Sequence, residues 1–122
     1  MKYCSAITGW GIEAMQFLTD EELQCIIIFN EEVPKELIDI AILHEQAPLS
    51  DDIVVGDTIE LCGKQFKVSA VGEEAMETLR SLGHCTLSFK GGSKAERPGC
   101  IMLEGKKLVP DDFYIGGVIK VY

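Results

Sequence analysis

The sequence predicts a mainly β protein: a small closed or partly open barrel of about seven short strands, with one clear helix and one or two short helical turns. Three observations predict it. Short apolar or alternating runs recur along the whole chain, separated by glycine-containing turns. Only residues 73–82 keep helical spacing at any length. And "IVVGDTIEL" (Ile53 to Leu61) is echoed by "FYIGGVIKV" (Phe113 to Val121), with Asp51-Asp52 and Asp111-Asp112 just ahead of the two copies. Two copies are too few for a solenoid, but they suit a sheet that folds back on itself.

The elements follow in order. "KYCSAIT" has the β-branched and apolar content of a strand, which Gly9 and Gly11 end. "IEAMQFL" is long enough for one or two helical turns, with Ala14, Phe17 and Leu18 on one side. "CIIIF" is a continuous apolar run and reads as a buried strand. In "NEEVPKEL", Pro34 suits the first turn of a short helix, and Glu31 and Glu32 favour its positive end. "IDIAILH" reads as the next strand. Ile59 and Leu61, then Phe66, Val68 and Ala70, alternate on either side of Gly63-Lys64, which predicts a hairpin. In "EEAMETLRSLG", Ala75, Met76, Leu79 and Leu82 share a helix face and Gly83 stops it. "HCTLSF", "CIML" and "VIKVY" are the late strands, and Gly91-Gly92 and Gly116-Gly117 are turns.

Nothing marks an internal linker, so residues 1–122 read as one domain. At 47% apolar residues the chain is not disordered. No window approaches the roughly 18 apolar residues of a membrane span, and the N-terminus lacks a signal-peptide core, which predicts a cytosolic protein. The five cysteines are widely spaced with no C-x-x-C, which argues against a zinc ribbon, a redox dithiol or a disulfide framework. A net charge of −9 makes nucleic acid a poor partner and suits a basic protein surface, or simply solubility. Trp10, between two glycines, reads as a packing anchor.

There is no phosphate-binding glycine loop and no closely spaced histidine pair, so neither a nucleotide nor a metal cofactor is expected. His84 adjoins Cys85, but neighbours on a strand point to opposite faces and cannot pair as base and nucleophile. His44, at the end of "IDIAILH", is left as the one candidate actor. A neutral imidazole attacks phosphorus readily, and phosphoryl transfer asks mainly for an exposed, fixed ring nitrogen and donors for the spread charge. The bland alternative is a histidine that ends a strand and does nothing.

Four stretches then carry a resemblance: "ILHEQAPL", "VSAVGEEAMETLRSLGHCTLSF", "AERPGCIML" and "VPDDFYIGGVIKVY". Together they resemble the enzyme IIA component of the glucitol/sorbitol-specific phosphotransferase system over nearly the whole chain. The resemblance implies that His44 is the phosphorylated residue. It would take a phosphoryl group from the small phosphocarrier HPr and pass it to a cysteine of the IIB component, which serves the membrane-embedded permease. It further implies that no cofactor is consumed and that the sugar is not contacted. His84 matches a family histidine that either donates a hydrogen bond to the phosphoryl group or merely ends the helix-to-strand turn. The family carries a second histidine two residues after the active one. Here that position is Gln46, which would have to serve as a neutral donor. Glu45, Asp51 and Asp52 follow His44 and would meet basic residues of HPr. A barrel that no longer relays phosphate, kept as a regulatory or binding module, is the alternative.

Overall fold

The computed structural model describes residues 1–122. Eight strands form: Tyr3–Trp10 (β1), Cys25–Asn30 (β2), Ala41–His44 (β3), Thr58–Leu61 (β4), Lys64–Val71 (β5), Cys85–Ser88 (β6), Cys100–Glu104 (β7) and Val118–Val121 (β8). They close into a barrel in the order β1-β3-β2-β6-β7-β5-β4-β8. The helices are Gln16–Thr19 (α1) and Ala75–Leu82 (α2), with 3-10 turns at Lys35–Ile40 and Pro110–Asp112. The mainly β barrel is as the sequence predicts, with one strand more and fully closed.

Three local differences have clear causes. The strand read from Ile38 starts only at Ala41, because Pro34 launches a 3-10 turn that runs through Ile40. The hairpin turns at Cys62-Gly63 instead of Gly63-Lys64. Both turn residues have positive φ, 49° and 88°, as a two-residue hairpin loop requires. Leu82, counted on the apolar face of α2, is 44% exposed, while Ala75 and Leu79 are buried. Gly83 caps α2 in the left-handed conformation at φ 60°, its N–H bonded to the Leu79 carbonyl at 3.0 Å.

The echo read near Ile53 and Phe113 extends over the whole chain. Exchanging β1, β2, β3 and β4 for β5, β6, β7 and β8 reproduces every strand pairing and its sense. Even the irregularity between Ile7 and Gly9 in β1 recurs between Val68 and Ala70 in β5. Loop bonds repeat too. Gly56 N–H bonds the Val68 carbonyl at 2.9 Å, and Gly116 N–H bonds the Ile7 carbonyl at 2.8 Å. A side chain at Gly11 would strike the backbone of Ile38 and Asp39, and one at Gly72 would strike Pro98 and Arg97. Both crossovers therefore require glycine at their tightest approach. The chain is two similar halves, interleaved about a pseudo-two-fold axis.

Side chains alternate through the barrel wall. Ile7, Ile26, Ile28, Ile42, Ile59, Leu61, Val68, Leu87, Ile101, Leu103, Ile119 and Val121 fill its interior core. A second, smaller cluster of Phe29, Val33 and Ala41 sits elsewhere and is covered by Leu37. No helix is long and apolar enough to cross a membrane.

Candidate functional site

Alternation in β3 puts His44 on the same face as the buried Ile42, so its imidazole points into one end of the barrel. The expectation of an exposed ring nitrogen is therefore wrong: His44 has 0% of its surface exposed. The ring is nonetheless not walled in by hydrocarbon. Nε2 lies 2.6 Å from the Gly83 carbonyl oxygen. Nδ1 lies 2.8 Å from Ser5 Oγ, 2.9 Å from the Glu45 carbonyl oxygen and 3.4 Å from Tyr3 Oη. Ser5 Oγ in turn donates to the Glu45 carbonyl at 2.6 Å.

The cage comes from four places in the sequence. β1 contributes Tyr3 and Ser5, both facing inward. β2 contributes Asn30, whose register partner in the parallel β2–β3 ladder is His44. Its side-chain carbonyl accepts the Glu32 N–H at 3.0 Å and holds the turn after β2. Gly83 closes the cage from the end of α2; a side chain there would stand 3.0 Å from His44 Cε1 and 2.9 Å from Asn30 Cβ.

Burial holds the His44 imidazole below its ordinary pKa, partly opposed by the Gly83 and Glu45 carbonyls and by the nearby Glu31 charge. Burial, helped by Cys85, pushes the Tyr3 hydroxyl up to about 12, so it keeps its proton. Burial also pushes the Cys85 thiol up to about 12, leaving it no thiolate character near neutrality.

The other two predicted residues do not join His44. His84 donates from Nδ1 to the Ile28 carbonyl at 3.0 Å and stacks on Phe29 with ring centroids 4.2 Å apart. Phe29 belongs to the smaller outer cluster, whereas the adjacent Cys85 points inward, so His84 and His44 lie on opposite faces of the wall. Gln46 is exposed, beyond the end of β3. Of the acidic residues after His44, Asp52 pairs with Arg80 at 2.7 Å on the surface. No group of three His, Cys, Asp or Glu side chains comes together as a metal site would require.

Sequence reasoning missed Tyr3, Ser5 and Asn30, and a signal for them existed. Under the pseudo-two-fold, Ser5, Asn30 and His44 correspond to Phe66, Phe89 and Leu103. The counterpart end is hydrocarbon, with Phe66 and Phe89 rings 5.1 Å apart. Three of the four buried polar residues of the protein therefore gather at one end of a barrel whose other end does without them.

The barrel is that of a phosphotransferase-system IIA component. A crystal structure titled "The Crystal Structure of PTS System IIA Component from Enterococcus faecalis V583" matches it with a TM-score of 0.78, over 97% of this chain and 98% of that one, at 20% sequence identity. Sequence narrows the class. The family model "PTS system glucitol/sorbitol-specific IIA component" matches residues 2–120. The glucitol/sorbitol-specific EIIA components of Escherichia coli (strain K12) and Shigella flexneri are each 36% identical over 118 residues, covering 97% of this chain and 92% of theirs. The chain belongs to the glucitol/sorbitol-specific IIA family of the phosphotransferase system, a family of phosphoryl carriers in sugar uptake.

Proposed function

We propose that residues 1–122 act as one cytosolic IIA domain, in which His44 accepts a phosphoryl group from phospho-HPr and hands it to the IIB component serving the IIC permease. The observation that carries this reading is the polar cage around His44, set where the matching end of the same barrel is apolar. Buried polar groups cost stability unless paired, and a fold that needs none at one end keeps them at the other for another reason. A imidazole of lowered pKa is neutral near pH 7, the form that attacks phosphorus. Phosphohistidine transfer to and from carriers is close to thermoneutral, so the site must not hold the phosphoryl group tightly. Neutral hydroxyl donors such as Ser5 and Tyr3 suit that better than a cluster of cations would. Gln46 takes a secondary part, as a surface donor that a docked carrier meets once the ring is uncovered, while His84, whose Nδ1 proton goes to the Ile28 carbonyl, holds the turn from α2 into β6.

The enclosure of His44 favours one other reading, a barrel retained as a binding or regulatory module. Incubation with phosphorylated carrier separates the two. The relay requires an acid-labile, alkali-stable label on His44 that passes on to the IIB component. A His44→Ala chain that labels as well as the parent excludes it.

A further inference from the structure

Most of the hydrogen-bonding groups around His44 are already engaged. The Gly83 and Glu45 carbonyls only accept, so neither can meet the oxygens of a phosphoryl group. The Ser5 hydroxyl gives its proton to the Glu45 carbonyl at 2.6 Å, and the Tyr3 hydroxyl faces Ser5 and the ring. Asn30 differs. It is 5% exposed, and its side-chain oxygen accepts the Glu32 N–H at 3.0 Å. That bond settles which end of the amide is which, because a nitrogen in its place would set donor against donor. The NH2 end makes no hydrogen bond within the protein. Every fully enclosed polar side-chain atom has a partner, so this nitrogen reaches the surface.

Asn30 therefore runs from the ring to the outside. Its backbone pairs in register with His44. A side chain at Gly83 would stand 2.9 Å from Asn30 Cβ and 3.0 Å from His44 Cε1, so the two residues flank one point of the cage. The charge that bears on the ring is the Glu31 carboxylate, not a lysine or arginine, so a donor for phosphoryl oxygens here has to be neutral. The corresponding position in the other half is Phe89, which has no donor. We infer that Asn30 is a catalytic residue of this site: its side-chain amide donates to the phosphoryl oxygens as the group arrives at His44 and while it stays there. The inference rests on the relay reading above. In the step, the lone pair of a His44 ring nitrogen forms the new N–P bond. The P–N bond to the donor's phosphohistidine breaks, and its electron pair stays on the donor ring. The proton given up by the His44 ring matches the one that the donor ring regains, and the Asn30 amide keeps both of its own. Neutral N–H groups favour the spread negative charge of the transferring group yet hold the product loosely, as a carrier must.

Two measurements on the full chain test this. The first is the rate of labelling by phosphorylated carrier. Asn30→Ala should label at His44 about tenfold more slowly than the parent, the loss of one hydrogen bond at the reacting group. Asn30→Asp keeps the oxygen that holds the Glu32 N–H, and so keeps the turn, but sets a carboxylate against the phosphoryl group. It should stay folded and label about a hundredfold more slowly. Parental labelling in either variant overturns the inference; a purely structural role would lower the melting temperature of Asn30→Ala and leave Asn30→Asp labelling normally. The second is a 15N–1H spectrum of the parent before and after labelling. The Asn30 side-chain amide pair, identified by its loss in Asn30→Asp, should move downfield when His44 is phosphorylated and return when the label is lost. An amide pair that stays in place on a chain labelled at His44 overturns the inference while the relay stands. A chain that takes no label at His44 sinks the relay reading, and the assignment of Asn30 with it.

Discussion

The two ends of the barrel are made alike and filled differently. Around Gly83, the inward positions hold Ser5, Asn30 and His44; around its counterpart Gln24, they hold Phe66, Phe89 and Leu103. Strand order, register and even the irregularities agree between the halves. The apolar end shows what the architecture needs. What the polar end adds is then open to the chemistry proposed for His44, a comparison that a barrel without internal repetition would not allow.

The sharpest way to break this comparison is to exchange the two centres. His44→Leu should abolish labelling by phosphorylated carrier altogether, yet stay within about 2 kcal/mol of the parent in urea unfolding, since the main loss is a partner for the Gly83 carbonyl. Leu103→His should label normally at His44 but lose about 3 kcal/mol, because its imidazole would enter hydrocarbon without acceptors. Equal stabilities for the two variants would remove the distinction between the ends.

Next in size is the pair of cap residues. Gly83→Ala should cost about 1–2 kcal/mol, from its left-handed φ of 60° and from contact with Asn30 and His44. Gln24 already sits at φ 43°, so Gln24→Gly should gain up to about 1 kcal/mol. Thermal melts read both. Only the Gly83 variant should also slow labelling.

The smallest effect is on acid sensitivity. The folded His44 has a pKa below its ordinary 6.5, so the unfolded chain binds that proton more tightly. Stability present above pH 6.5 is therefore lost as pH falls through that value toward the lowered one. Urea midpoints compared between neutral pH and about pH 5 should show this component in the parent and not in His44→Leu. An identical pH response in both would mean that the ring is not held neutral by burial.

Much of the fold could be read from alternation and glycine punctuation, because those patterns are local. The strand start at Ala41 was hidden by Ile38 and Ile40, whose apolar character suits a strand although Pro34 has already committed the backbone to a 3-10 turn. The internal duplication was legible only in part. The segments "GIEAMQFL" (Gly11 to Leu18) and "GEEAMETL" (Gly72 to Leu79) share glycine, Glu-Ala-Met and leucine at the same spacing. In both, Ala and Leu are buried at the same places, Ala14 and Leu18, Ala75 and Leu79. Both segments read as helical, one as short turns and one as the clear helix, and their match extends the echo seen between Ile53 and Phe113. His44 could be found because histidine is rare here and ends an apolar run. Ser5 could be singled out only by setting the two halves against each other, where Phe66 takes its place, since nothing local distinguishes a hydroxyl facing inward across a closed barrel from one in an ordinary strand.

The halves are also interleaved: β4 pairs only with β5 and β8, and β1 pairs with β3 and β8. The final strand is thus the seam for both. Losing β8 would bare two sheet edges at once, each a template for intermolecular pairing, and one of them is the strand that carries Tyr3 and Ser5. A carrier clipped at that strand should be lost to aggregation before its chemistry could be measured.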